Sequence, residues 1–373
     1  MQDWRTAFAV CIISELEFAT SVSPSNLDLS VSIRKSVLSS RITTETEGIE
    51  MTATEAYRLP KSIAERLRIP AIAAPMFRVS GPELVSAICK AGVAAALPAV
   101  NARTPAVLDN WLDDIATATS ASATIPAPHC VNLVMSHHML HDHLACIINN
   151  RVEIVITSVG SPAPVLQALH AADVLVFSDV ATIAHARKAA LAGADGLVLL
   201  SAGAGGQTGW LNPFAFVRAV RGFFDGPIAL AGGLSDGVAL HAALSLGADL
   251  GYMGTRFIAA EESLASQRYR EHVVNCDSDD VMLTSAFTGL PASWLRPAVL
   301  AAGLDPQSLD EQVTPEISNA VYGGGNDAAG PRRWTDVVSA GHSVSGVSAI
   351  EPASHIIDRI AREFFSANGT PIL

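Results

Sequence analysis

Two glycine turns carry the clearest chemistry in this chain: Gly232-Gly233 and Gly254-Thr255, each placed directly after an apolar run of strand length, Pro227 to Ala231 and Leu250 to Met253. A residue without a side chain lets backbone N–H groups come close to a ligand, and Thr255 adds a hydroxyl, so two such turns on neighbouring parallel strands can share one phosphate. Ser235 and Asp236 then offer N-cap oxygens to a helix from Gly237 to Leu246 that Gly247 closes. This pairing of turns recurs after strands seven and eight of (β/α)8 barrels, beside a short extra helix for which Phe257 to Ser263 is the candidate. The same turns would serve equally as plain helix caps on any parallel sheet.

The elements that would position these turns follow from Pro70 onward. Short apolar runs at Ala71 to Ala74, Val93 to Leu97, Cys130 to Val134, Ile154 to Thr157, Val174 to Phe177, Gly196 to Leu200, Ile228 to Ala231 and Leu250 to Met253 read as strands. Amphipathic segments of helical length separate them, including Pro82 to Ala91, Pro105 to Ala116, Leu140 to Asn150, Pro162 to His170, Ile183 to Ala192 and Pro213 to Gly222. Eight βα units in one run predict an α/β fold, a closed (β/α)8 TIM barrel rather than a doubly wound sheet. Repeated endings such as Ala192-Gly193-Ala194-Asp195 and Leu246-Gly247-Ala248-Asp249 are C-cap chemistry. The reading divides the chain into a poorly ordered, Ser- and Thr-rich leader (1–50), the barrel (51–262), and a mainly helical C-terminal extension (263–373) packed on the barrel as a lid or interface. In that extension a Gly-rich loop, Tyr322 to Gly330, precedes a final helix near Pro352 to Phe365. Met51 opens a segment that would serve as a natural N-terminus, so the first fifty residues read as an upstream start choice.

With 373 residues, the chain has room for one barrel of roughly 250 residues plus appendages. It is 49% hydrophobic and only 16% charged, as in helix-on-sheet proteins with small side chains at tight contacts. A net charge of −12 argues against nucleic acid or an anionic membrane as the main partner. Cys11, Cys89, Cys130, Cys146 and Cys276 show no CxxC spacing and read as reduced and mostly buried, in a cytoplasmic protein. Ala7 to Ile13 resembles the core of a signal peptide, but Glu15 and Glu17 follow at once and no A-x-A site closes it.

In a barrel of this kind the C-terminal strand ends face the active site. Those ends bring forward Ala74-Pro75-Met76, Asn132, Ser178-Asp179 and the loop Ser201-Ala202-Gly203-Ala204-Gly205-Gly206-Gln207-Thr208-Gly209. The last is the longest and most glycine-dense of these loops and could wrap its backbone around a flat ligand. No Walker lysine follows it, so it is not a P-loop. His137, His138, His141 and His143 follow strand three; the His137/His141 spacing suits a metal on a helix face, but no cysteine or paired carboxylate completes a site. They read as a solvated helix start near the mouth, with no metal.

From about Pro60 to the C-terminus the chain resembles the nitronate monooxygenase family, FMN-dependent (β/α)8 barrels formerly called 2-nitropropane dioxygenases. The resemblance rests on IPAIAAPMFRVSGPELV, SAGAGGQTGWLNPFAFV, IALAGGLSDG, GADLGYMGTRFIA and WTDVVSAGHS, in that order. It implies that Ala74, Pro75 and Met76 line the flavin ring and that Ser201, Gly205 and Gly206 approach it. It also implies that Gly232, Gly233, Gly254 and Thr255 hold the FMN phosphate, while Asn132 and Asp179 face the isoalloxazine. The implied activity is oxidation of a nitronate, nitroalkane or similar small carbon acid with O2. An NAD(P)H-dependent FMN quinone or enoyl reductase, or an FMN-binding protein with altered catalysis, are the alternatives. A small molecule and O2 are the expected partners, and a homo-oligomer is left open.

Two positions depart from the family pattern. Gln207 stands where members commonly carry the histidine proposed as base or proton carrier, and glutamine cannot take a proton near neutral pH. His342 stands where glutamine is usual, in Ser339-Ala340-Gly341-His342-Ser343, so it could supply the imidazole that position 207 lacks. Gln207 and His342 are therefore the candidate catalytic residues, and a preformed nitronate, which needs no base, is expected to be oxidised better than a neutral nitroalkane.

Overall fold

A computed structural model describes residues 58–120, 122, 125–323 and 330–367. The leader, most of the Gly-rich loop and Cys11 lie outside the described residues. Eight parallel strands close into a barrel: β1 (Ala71–Ala73), β2 (Ala94–Pro98), β3 (His129–Val134), β4 (Ile154–Ser158), β5 (Leu175–Val180), β6 (Gly196–Leu200), β7 (Ile228–Ala231) and β8 (Leu250–Met253). Each strand pairs with the next, and β8 returns to β1 with Tyr252 opposite Ile72.

Alternate residues point to opposite sides of each strand, so two cores form. Inside the barrel Ile72, Ala96, Cys130, Ile156, Phe177, Val198, Ala229 and Tyr252 fill the lumen. Outside, Val131, Val155, Val176, Leu197, Leu199 and Leu230 pack under the helices. Those helices are α1 (Pro82–Lys90), α2 (Pro105–Ser120), α3 (Leu140–Asn149), α4 (Ala163–His170), α5 (Ile183–Ala192), α6 (Pro213–Arg221), α7 (Gly237–Leu246) and α8 (Ala353–Ala367).

The repeated Gly-Ala-Asp endings do two jobs. Gly193 and Gly247 take left-handed C-cap conformations, and two residues later Asp195 and Asp249 accept the N–H of Val176 and Ile228 at 2.8 Å. Asp249 is buried and also pairs with Arg221 at 2.6 Å, at the end of the barrel away from the strand C-termini. At α7 the N-cap is Asp236, which accepts from Ala239 N at 2.8 Å.

The final helix differs from expectation. Sequence reading groups it with the region over the barrel, yet α8 packs between α7 and α1 and completes the outer ring. Its Ile356, Ile357, Ile360 and Phe364 join the outer core, and Gly237 lies so close that any Cβ there would collide with the α8 backbone. Residues 254–352 are thus inserted between β8 and its helix.

That insertion begins with a one-turn helix, Thr255–Ile258, earlier and shorter than the expected Phe257 to Ser263. Besides helices such as Gln267–Asn275 it holds two strands, Val281–Thr284 and Ala292–Leu295, which sequence reading does not contain. They form an antiparallel sheet whose third member is Gly206–Gln207, from the loop after β6. Trp294, fully buried, anchors it against Phe287 and Trp334, with ring centroids 4.9 and 4.4 Å apart.

Candidate active site

A cavity of about 1740 Å³ opens at the C-terminal ends of the strands. Ala74, Pro75, Met76, Asn132, Asp179, Gly205, Gly206, Gln207, Gly232, Gly233, Gly254 and Thr255 all line it. Its charged lining is one-sided. Arg78, Lys188 and Arg333 contribute to the wall, and the only carboxylate among the described lining residues is Asp179. For a chain of net charge −12, this depletion of acids at one concavity suits an anionic ligand.

The two glycine turns lie side by side, because β7 and β8 are paired in register with Ala231 opposite Tyr252. Gly232 and Gly233 have φ of +119° and +73°, left-handed values that disfavour side chains. Their surroundings differ. A Cβ on Gly232 would strike the Ser201 side chain, whereas one on Gly233 would meet nothing within 4 Å and would project into open space. Gly233, Gly254 and Thr255 donate their N–H groups to no acceptor among the described residues. Free amides around open space are what a phosphate cradle requires.

Beside these turns the loop after β6 presents Gly206, with φ +67° and again nothing within 4 Å of a built Cβ. Its position is set by the C-terminal tail. Ser339 Oγ accepts from Gly206 N at 2.8 Å and donates to Ser293 O at 2.6 Å, and Tyr269 donates its hydroxyl to Ser339 O at 2.5 Å. His342 N donates to Gly203 O at 2.8 Å, and Gly341 N to Thr255 Oγ1 at 2.9 Å. The Ser-Ala-Gly segment thereby ties the loop after β6 to the turn after β8.

The floor of the cavity is the top layer of the barrel lumen. Asn132 Nδ2 donates to Ile156 O and to Ser158 Oγ, both at 3.0 Å. Asp179, in phase with the inward-facing Phe177 on β5, has an Oδ1 shut off from solvent and without a hydrogen-bond partner. Burial pushes its carboxyl pKa up to about 7. Tyr252, on β8, likewise has a buried hydroxyl without a partner, and burial followed by the neighbouring Asp179 charge raises its pKa well above the usual phenol value.

Two of the sequence candidates, Ser201 and His342, are placed differently from the rest. Ser201 is buried behind the wall, where its hydroxyl donates to Ala231 O at 2.5 Å and its bulk fixes Gly232; it braces the cradle and does not line it. His342 is exposed, with its ring against Gly203, and does not line the cavity, so the structure does not bring it together with Gln207. Gln207 does line the cavity and pairs with Ala292 of the overlying sheet. The histidines adopt another geometry too: His137 stacks on His143 at 5.2 Å and lies 4.4 Å from His138, and only His137 and His138 reach the cavity. Among the described residues no group of three His, Cys, Asp or Glu could hold a metal.

Sequence reading missed Tyr252, Tyr269 and Ser339 as site residues. Period-two alternation along β8, which puts Leu250 inward, would have placed Tyr252 inward as well. Tyr269 and Ser339 are brought in by the insertion and leave no periodic signal.

The family profile described as nitronate monooxygenase matches residues 131–362. A nitronate monooxygenase from Paraburkholderia phytofirmans is 27% identical over 287 residues, covering 66% of this chain and 78% of the relative. A (3aS,4S,5R,7aS)-5-hydroxy-7a-methyl-1-oxo-octahydro-1H-indene-4-carboxyl-CoA dehydrogenase from Mycobacterium tuberculosis is 28% identical over 245 residues, covering 64% and 67%. Among solved structures, FabK from Thermotoga maritima superposes with a TM-score of 0.66 at 26% identity, covering 83% of this chain and 97% of that one. No described helix is long and apolar enough to cross a membrane.

Proposed function

The chain belongs to the nitronate monooxygenase family, and on that premise we propose that this oxidoreductase holds FMN at the barrel mouth and oxidises a small carbon acid, a nitronate or nitroalkane, with O2. The observation that carries the reading is the paired cradle: free amides at Gly233, Gly254 and Thr255, with open space in front of Gly233. One monophosphate fits such a site, through backbone donors and without a dedicated cation. Ala74, Pro75 and Met76 on one side, and Gly205 and Gly206 on the other, leave a slot for a flat ring whose approach a side chain at 206 would block.

When bound, the flavin supplies the electron sink and the route to O2, chemistry that protein side chains lack. The residues of the chain bind and orient. The cradle fixes the phosphate end, the tail-braced loop fixes the ring, and Gln207 can both donate to and accept from a substrate oxygen. The cationic rim draws an anionic substrate inward. The overlying sheet narrows the entrance and limits water at the reacting atoms.

The protein should purify yellow, with released cofactor identified by mass as FMN, and should consume O2 with propyl-2-nitronate. Stoichiometric FAD, or no flavin after reconstitution with FMN, would sink the reading.

A second reading is favoured by the size and rim of the cavity. Phe77, Val159, Trp210, Leu283 and Leu290 are exposed apolar side chains that all line it, more surface than a nitronate can cover. A quinone or an enoyl thioester, reduced by FMN with NAD(P)H as donor, would use that surface. Rapid anaerobic bleaching by NADH or NADPH favours this reading; an unchanged spectrum removes it.

A further inference from the structure

Asp179 is a half-buried residue with one carboxyl oxygen shut off from solvent, and the mechanism above leaves it unused. Its Oδ1 accepts nothing, although a buried acceptor without a partner costs about 1–3 kcal/mol and is retained where a ligand or a reaction uses it. It sits at the C-terminal end of β5, beside the β6 strand whose loop carries Gln207, and both residues face the same cavity. On the opposite side of the lumen the Tyr252 hydroxyl is also without a partner. Two unsatisfied polar groups of complementary kind, one acceptor and one donor, therefore line the same cavity.

We propose that Asp179 is the base that deprotonates a neutral carbon acid in this enzyme, with Tyr252 donating its O–H to the oxygen that gains the charge. The proposal takes the nitroalkane substrate from the functional reading above. In the step, the α C–H bond of the nitroalkane breaks and its proton forms an O–H bond on Asp179. The electron pair of that bond moves into the nitro group, which becomes the nitronate. No electron acceptor is consumed. Position 207 needs no histidine in this arrangement, because the proton is taken from the floor and not from the loop.

The surroundings of Asp179 support such a cycle. Titratable groups facing it within the barrel are Tyr252 on β8 and, near that phenol, Cys130 on β3; burial holds both protonated and uncharged. The neighbouring strands offer Ser158 on β4 and Leu200 on β6, neither charged. Its carboxyl titrates near neutrality through burial alone, so both protonation states are accessible at working pH.

Proton transfer can be read without turnover. Holoenzyme reduced with dithionite in D2O cannot accept electrons, and exchange of the α-protons of nitroethane for deuterium is followed by proton NMR. Wild type should exchange at a rate well above buffer, and Asp179→Asn should lose at least tenfold of that increment, a loss several-fold larger than any loss in oxidation of preformed ethylnitronate. Tyr252→Phe should slow exchange with FMN content unchanged. Exchange by wild type no faster than buffer, or undiminished in Asp179→Asn, would overturn the proposal. Equal loss of exchange and nitronate oxidation would assign Asp179 to the flavin instead and overturn it too. Asp179→Glu, which keeps the carboxyl, should restore part of the exchange if Asp179→Asn is poorly folded. Failure of the functional reading looks different: no flavin in the protein, or no oxidation of the nitronate.

Discussion

Thr255 Oγ1 accepts a hydrogen bond from the N–H of Gly341 at 2.9 Å, in the protein interior. A hydroxyl has one proton to donate, so this accepted bond orients Thr255 with its own O–H left for a ligand. The contact joins the turn after β8 to a tail segment far away in sequence, so the proposed phosphate site and the docking of the tail share one residue. Thr255→Val removes both roles. It should weaken FMN binding by roughly tenfold or more, the about 1–3 kcal/mol of an unsatisfied buried donor together with a lost phosphate contact. Thr255→Ser, which keeps the hydroxyl, should stay within a few-fold of wild type. Fluorescence titration of deflavinated protein with FMN measures both, and equal affinities for the two variants would count against the role.

The three cradle glycines should respond differently to a side chain. Gly233→Val places a β-branched residue at φ +73° and fills the open space, so the protein should remain folded, destabilised by about 1–2 kcal/mol, and lose FMN on purification. Gly232→Ala collides with the Ser201 side chain and the Ala202 carbonyl and should reduce thermal stability far more. Gly254→Ala meets only ordinary contacts with Ala74 and Met76 and should be nearly silent, while Gly254→Val should cost flavin. Melting temperature and flavin absorbance per chain distinguish these outcomes.

How much of this could be read from the sequence divides along physical lines. The barrel was legible because each βα unit is a local pattern, an apolar run, a turn residue and a 3.6-period helix, and two of the helices are closed by Gly193 and Gly247 at left-handed C-caps. The adjacency of the two glycine turns was legible for the same reason, since β7 and β8 are neighbours both in sequence and in the sheet. What escaped depends on contacts between distant segments. Nothing local marks Gly206–Gln207 as a strand, because its partner is Ala292–Leu295 across the insertion. Helix α8 has a clear amphipathic pattern, but its place in the ring is decided by tertiary packing on α7. His342 has the right chemistry and the wrong direction: the tail reaches the site through its backbone and the Ser339 hydroxyl, and the imidazole is left outside.

That placement yields an asymmetric pair of outcomes. His342→Gln should leave turnover and its pH profile unchanged, because the ring lines no part of the cavity. Gln207→His puts an imidazole on the cavity wall and should raise oxidation of neutral nitroalkanes, with a new dependence near its pKa of about 6.5. Steady-state rates with nitroethane and ethylnitronate across pH 5.5–9 read both. A loss of activity in His342→Gln would show that the tail histidine reaches the reacting atoms, contrary to its position.

Asp179 should also leave a signature in stability, independent of any substrate. Its carboxyl titrates at about 7 in the folded protein and at about 3.9 in an unfolded chain, so the folded state holds the proton more tightly. The stability this contributes is complete below pH 4 and is lost as pH rises through 7, a change of up to about 4 kcal/mol for a shift of about three units. His129 and His143, whose pKa values desolvation lowers, act in the opposite direction and destabilise the protein on acidification. The wild-type curve alone therefore mixes the effects, but the difference between Asp179→Asn and wild type cancels the histidines. The melting temperature of Asp179→Asn relative to wild type should climb by several degrees between pH 4 and 7 and level off above about 8. A flat difference across that range would mean that Asp179 is ionised throughout, with a carboxylate held by a cation or donor at the cavity floor.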